Sequence, residues 1–351
     1  MRTVVAKSGA LRVAELPALE PEAGQVLVRV RSCGICGSDL HSLRHAESVV
    51  AMSDAIGSER NFDPDADYMM GHEYCGEVLA LGPATESAVG PGDLTVAMPF
   101  LIRGATVEAI GFSNRIVGGY AEEMILDAGL CLKVPNGLDA GLASLTEPLA
   151  VGLHAVNRSG IERGDAALVL GCGPIGLSLV VWLKARGIGP IVVSDYSPRR
   201  RGLAAELGAD VVVDPREERP VDAWKRIDGV RPLVVFEAVG VPGMIDEAMR
   251  SAPSKARILV VGVCMERDAI TPMIGVIKEL DMKFAVYYEA DEFADTLHAI
   301  AEGLIDVAPL VTGRVGLDGV AGAFTALGDP EGQVKVLVDP ALTGTEIQPV
   351  R

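Results

Sequence analysis

Hydrophobic and polar positions change rhythm near Asp165. After it, short continuous apolar runs recur: ALVLG from Ala167, PIVVSD from Pro190, DVVVD from Asp210, PLVVFEAVG from Pro232 and RILVVGV from Arg257. Runs of this length, bounded by Gly, Pro and Asp, predict strands buried on both faces. GLSLVVWLKARG and RRRGLAAELG between them predict helices. Strands alternating with helices predict a parallel sheet covered on both sides, an α/β unit. Before Asp165, VLVRVRSCG, GEVLALG and LTVAMPF are strand-like and separated by Gly and Pro, which predicts a β-rich unit. Residues 42–70 are polar, carry Asp-Pro and show weak periodicity, so they read as a long loop with room for one short helix. After about Asp291 mixed helix and strand return, closing on VKVLVDP.

Length and composition agree with this division. A chain of 351 residues suggests two domains, and 40 glycines suit many tight strand–helix turns. With 31 Lys and Arg against 48 Asp and Glu, the formal charge is −17, which argues against nucleic acid and anionic membrane surfaces as partners. The start MRTVVAKSGALRV has no apolar stretch of a secretory signal. The apolar run Ala166–Leu183 contains Gly171, Gly173, Pro174 and Gly176, so it reads as strand–turn–helix rather than a membrane span. A cytoplasmic location follows by default. Thiols there stay reduced, so the six cysteines point to metal or packing rather than disulfides.

Gly171-x-Gly173-x-x-Gly176 follows a predicted strand and opens a predicted helix, and Asp195 ends the next strand, 19 residues beyond Gly176. That context is the Rossmann-type dinucleotide fingerprint. Gly171 serves the tight turn, Gly173 the close approach of the pyrophosphate, and Gly176 the packing of helix on strand; Pro174 and Ile175 begin the helix whose N-terminus faces the phosphates. A carboxylate at Asp195 can bond both ribose hydroxyls and repels a 2′-phosphate, which favours NAD over NADP. Arg199, Arg200 and Arg201 could hold that phosphate, but they read better as the start of a helix, with Arg200 stacking on adenine. Val239 and Gly262, in loops after later strands, complete the expected cofactor contacts.

In the first half, Cys36, His72 and Glu147 offer a thiolate, an imidazole and a carboxylate from three distant segments. Three such ligands suit an open zinc site with its fourth position left for water or substrate. GICGSDLH, GHEYCGEV, Pro91–Asp93, TEPLAVGLHA, GCGPIG, VFEAVG and KVLVDP together resemble the zinc-dependent medium-chain alcohol dehydrogenases, in the polyol, butanediol and threonine dehydrogenase branch. The resemblance implies a GroES-like catalytic domain at 1–148 and 290–351 and an NAD-binding domain at 149–289. It implies that Cys36 and His72 bind zinc, that Glu147 does so directly or through water, and that Glu73 can enter as ligands exchange. It makes Asp39 the carboxylate that orients the zinc-binding imidazole, Ser38 and His41 the proton relay, and Lys335 a basic contact near the pyrophosphate. The implied reaction moves a hydride between a small secondary alcohol, such as a diol, and NAD, in a homodimer or homotetramer.

Three departures sharpen this expectation. Relatives often carry a structural zinc on four close cysteines; Leu94–Tyr120 has no cysteine, so one zinc per chain is expected, with that lobe packed by Phe100, Leu101 and Phe112. The spacing from Cys36 to His72 is long, and the extra residues read either as a lid or contact segment or as a plain surface insertion. Sorbitol-type relatives use an Arg–Tyr pair where this chain has KFAVYYEA; Tyr287, Tyr288, Met98 and Phe100 suggest a less polar substrate pocket. Cys33 is the candidate for packing rather than metal. Cys75 falls on the opposite strand face from His72. Cys131, Cys172 and Cys264 read as small buried apolar residues. His154 reads as a structural hydrogen-bonding partner, and His45 and His298 as surface residues. Two other readings remain: a zinc-free enone or quinone reductase of the same superfamily, and a non-catalytic dinucleotide-binding protein.

Overall fold

A computed structural model describes residues 1–56, 62–104 and 106–350. The chain divides into two compact units: residues 1–147, 293–302 and 311–351 form one, and residues 148–292 and 303–310 the other. Among the described residues, no helix is long and apolar enough to cross a membrane.

The second unit is built on six parallel strands. Their spatial order is Val211–Val213, Ile191–Ser194, Ala166–Leu170, Leu233–Glu237, Arg257–Val260 and Asp281–Phe284. The chain thus starts in the middle, winds outward one way, then returns to wind the other way. The reversal point lies between Ala166–Leu170 and Leu233–Glu237, and loops at the carboxyl ends of these strands form the crevice in which such sheets bind ligands. The apolar runs are continuous because the central strands are buried on both faces. Helices cover them with one apolar stripe each: Val221 and Trp224 of Pro220–Ile227 and Ala248 and Met249 of Met244–Ser251 enter the same core as Leu168, Val192, Val235 and Ile258. Pro174, at the first position of helix Pro174–Ala185, suits a helix start because its missing N–H is not needed there.

The first unit is organised by the ten-residue strand Gln25–Gly34. Along its length it pairs antiparallel with Glu73–Leu81 on one side and with Glu123–Asp127 on the other. At its far end Cys33 and Gly34 also pair with Val338 and Leu337 of strand Lys335–Val338. Gly34 therefore lies beside Glu73 and close to Lys335. Its lack of a side chain is required, because a Cβ there would sit 1.9 Å from Glu73 Oε2. Val26, Val28, Val30, Tyr74, Met124 and Val336 belong to the core beneath.

Residues 42–70 hold more helix than the weak periodicity predicts. Helix Gly37–Arg44 is followed by Ala46–Ile56, and strand Tyr68–Met70 comes before His72. In AESVVAMSDAI, partly buried Ala46 and Val49 lie three residues apart and pack on the core, which supplies the stabilisation that local pattern did not advertise. The middle of the expected insertion, residues 57–61, lies outside the described residues.

Candidate functional site

The first site is assembled at the end of strand Gln25–Gly34. The chain leaves the strand, passes Ile35 and caps helix Gly37–Arg44 with Cys36. The Cys36 backbone N–H donates to Asp39 Oδ2 at 2.9 Å, which fixes Asp39 in the first helical turn. His72 and Glu73 arrive from the start of strand Glu73–Leu81. Among the described residues, Cys36, His72 and Glu73 form the one group of potential ligands whose donor atoms all lie within 4.8 Å of one another.

Of the two carboxylates expected near the metal, the structure brings one into this group. Glu73 is in that group. Glu147, buried in the first turn of helix Thr146–Ser159, lies outside it, but its negative charge still raises the pKa of His72.

The chemistry of this group fits a metal cation. His72 and Asp39 are both buried, and His72 Nδ1 faces Asp39 Oδ1 at 3.5 Å. Neither atom has a hydrogen-bond partner, so two buried polar atoms await a tighter alignment. His72 Nε2 lies 3.5 Å from Ser38 Oγ. Burial alone would lower the His72 pKa, but the charges of Asp39, Cys36 and Glu147 outweigh it and hold it well above the ordinary imidazole value. A buried site that draws positive charge to this degree suits a divalent cation held by thiolate, imidazole and carboxylate. The residues therefore fit zinc.

Lys335 takes a different partner from the pyrophosphate that was expected. Its ammonium donates to both carboxylate oxygens of Glu73 at 2.7 Å and to the Ile35 carbonyl at 3.1 Å. The register of its strand turns the side chain inward, and a buried ammonium requires a charged partner there. Burial would lower its pKa, yet Glu73 above all raises it.

His41 is exposed on the helix that carries Ser38. Its pKa lies below the usual value through partial burial and then the charges of His45 and Arg44. Met98 and Phe100 are half-buried in this unit, while Tyr287 and Tyr288 belong to the other. The cysteine-free stretch after Leu94 holds a hairpin of Phe100–Arg103 and Thr106–Ala109, in which Leu101 is buried. Cys33 is fully buried in the core, and burial pushes its thiol well up. Burial pushes Cys75 and Cys131 to about 12 and raises Cys172 as well. Cys264 departs from its expected burial: it is partly exposed and donates to the Glu266 carbonyl.

The second site occupies the carboxyl ends of the parallel strands. Gly171 has φ +92°, a region that favours glycine. A Cβ at Gly176 would lie 1.9 Å from the Gly171 carbonyl oxygen. Asp195 closes the turn: its carboxylate accepts from the Cys172 N–H at 2.7 Å and the Ser197 N–H at 2.8 Å. Of the three arginines, Arg201 pairs with Asp214 at 3.1 Å and donates to the Asp195 carbonyl. Arg200 Nε is buried with no hydrogen-bond partner.

Sequence reasoning missed Glu237. Its Oε1 accepts from Val239 N–H at 2.7 Å and Gly240 N–H at 2.9 Å, and its carbonyl accepts from Val261 and Gly262. One buried residue thus ties together the loops carrying Val239 and Gly262. The signal was present as a lone carboxylate closing the apolar run PLVVFE. His154, read as a structural partner, pairs through Nδ1 with Glu292 at 2.7 Å.

Comparison with known proteins follows the same two-part division. Residues 22–136 match an alcohol dehydrogenase GroES-like domain and residues 174–302 a zinc-binding dehydrogenase domain. The chain is 34% identical over 340 residues to (R,R)-butanediol dehydrogenase of Bacillus subtilis, covering 94% of this chain and 96% of that protein. It is 30% identical to sorbitol dehydrogenase of Bos taurus, with 92% and 91% covered. A solved zinc-binding dehydrogenase of Sinorhizobium meliloti bound to NADP superposes with a TM-score of 0.83 at 28% identity, covering 97% of this chain and 99% of that one.

Proposed function

Because this chain belongs to the zinc-dependent medium-chain alcohol dehydrogenases, in the branch of the butanediol and sorbitol dehydrogenases, we propose that it interconverts a small secondary alcohol, such as a vicinal diol, and its ketone with NAD. The observation that carries this reading is the buried Cys36–His72–Glu73 group beside Asp39, in a chain that also holds a dinucleotide turn.

Bound zinc would make an alcohol hydroxyl more acidic, held by Cys36 and His72 with a carboxylate from Glu73 or Glu147. NAD would accept the hydride, its phosphates at the start of helix Pro174–Ala185. The remaining work belongs to the chain. Asp39 keeps the His72 ring oriented from behind. Ser38 Oγ, next to His72 Nε2, takes the alcohol proton and hands it on toward His41, whose lowered pKa leaves it neutral and ready to accept near pH 7. As His41 is exposed, the proton leaves to solvent. A zinc-free reductase would not need this set of donors together.

NAD is favoured over NADP because the carboxylate of Asp195, bonded to the Cys172 N–H of the glycine turn, would repel a 2′-phosphate. A panel of diols, secondary alcohols, hydroxy-amino acids and polyols should give its highest kcat/KM with a diol or simple secondary alcohol, and NAD should exceed NADP about tenfold or more, the worth of one unfavourable charge contact. Equal rates with NADP would reject the cofactor assignment, and no turnover on any alcohol or ketone would reject the function.

The acidic surface and the absence of a membrane-crossing helix among the described residues are consistent with a cytoplasmic enzyme. A homodimer is proposed through the edge strand Asp281–Phe284. Among the described strands it is paired on one side only, and Phe284, Val286, Met273, Val276 and Ile277 are exposed apolar residues of the same segment. A second copy, related by a two-fold axis, would satisfy both edges at once. Light scattering should give a dimer or tetramer for the wild type and a smaller species for Ile277→Asp. A monomeric wild type would refute this interface.

A further inference from the structure

Asp39 is held by a group that no motif singled out. Tyr120, in the segment Gly118-Gly119-Tyr120-Ala121, is fully buried, and its hydroxyl donates to Asp39 Oδ2 at 2.6 Å. The segment is laced to the strand that leads into His72. Gly119 N–H donates to the Gly71 carbonyl at 2.8 Å and Tyr120 N–H to the Met70 carbonyl at 3.4 Å, while the Tyr120 carbonyl accepts from Val4 N–H of the neighbouring strand Arg2–Lys7 at 2.8 Å. Glycines permit the approach: a Cβ at Gly71 would lie 2.9 Å from Tyr120 Cδ1, and one at Gly118 would lie 2.2 Å from the Met70 carbonyl oxygen. The ring stands edge-on to Phe324 at 6.1 Å.

The division of labour on Asp39 follows from these contacts. Oδ2 takes two donors, the Tyr120 O–H and the Cys36 N–H. Oδ1 is left facing His72 Nδ1. With the carboxylate plane fixed on its far side, Oδ1 can do one thing, which is to hold the proton of His72 on Nδ1. The Nε2 lone pair is then free toward Cys36 and Glu73. We propose that Tyr120 is a positioning residue for the metal, acting through Asp39 to set the tautomer and orientation of His72. The proposal rests on the metal reading of the Cys36–His72–Glu73 group. A phenylalanine would fill the same space, so the oxygen itself is what is being assigned a role.

The test is zinc competition against a chromophoric chelator on the full-length, zinc-loaded protein. Tyr120→Phe should raise the zinc dissociation constant about 10-fold or more, the scale of outer partners of metal-binding histidines. On an Asp39→Asn background the same change should alter it less than about 2-fold, because the two residues act in series. Phe324→Leu disturbs the same ring without touching Asp39; it should lower the melting temperature and leave zinc affinity unchanged. An unchanged dissociation constant in Tyr120→Phe, or an equal loss on the Asp39→Asn background, would overturn the proposal. So would a Tyr120→Phe chain that does not fold, since the hydroxyl is assigned to the metal and not to the fold. A wild-type protein that holds no zinc would instead reject the metal reading from which the proposal starts.

Discussion

Cys36→Ala should lose zinc and turnover together, whereas Cys33→Ala should keep both. The two cysteines stand in the same Cys-x-x-Cys segment, CGICGSDLH, but the structure separates them. Cys33 is still on strand Gln25–Gly34, paired with Tyr74 and Val338, and its side chain is buried in the core. Cys36 has left the strand and points its thiol into the group with His72 and Glu73. Removing a direct ligand should cost more than the 10–100-fold in metal affinity that outer partners typically cost. Cys33→Ala removes one buried sulfur from a packed core and should cost stability of order 1 kcal/mol. Zinc content and kcat of the two purified variants decide the matter. Loss of metal from Cys33→Ala would contradict the assignment.

Lys335→Met should destabilise the catalytic unit by about 3–5 kcal/mol, the scale for removing one partner of a buried ion pair. Lys335 is 2% exposed and Glu73 is 0% exposed, so the carboxylate left behind could not recruit bulk water. Methionine preserves most of the side-chain volume, so the loss reports the charge rather than a cavity. Coupling Lys335→Met with Glu73→Gln should recover much of the loss, since the orphaned charge then disappears as well. Denaturant unfolding of the metal-free single and double variants measures this. A single-variant loss below about 1 kcal/mol would show that the pair is not the buried anchor described.

The dinucleotide unit was legible because its signals are local. The first two apolar runs, the glycine turn and Asp195 all lie between Ala166 and Asp195, a stretch of about thirty residues that forms one strand–helix–strand unit, and each later run is itself a local signal. The structure places the runs in one parallel sheet and shows Asp195 bonded to the Cys172 N–H at the turn. Cys36 and His72 were legible from residue type and resemblance. What was not legible is what depends on register. Glu73, Gly34 and Lys335 meet because three strands align there, and no local pattern reports that alignment. Lys335 therefore read as a cofactor contact, and Tyr120 read as nothing at all. Helix Ala46–Ile56 was foreseen only as one short helix in a long loop for a related reason: Ala46 and Val49 pack on a core formed by distant strands.

The central claim is that one zinc, held at Cys36 and His72, is required for alcohol oxidation by NAD. Titrating zinc into chelator-stripped protein while following NADH formation from butane-2,3-diol or the best substrate of the panel tests it most directly. The account predicts no activity without zinc and a linear return that breaks at one equivalent per chain. Activity that survives stripping, or a break at two equivalents, would contradict it.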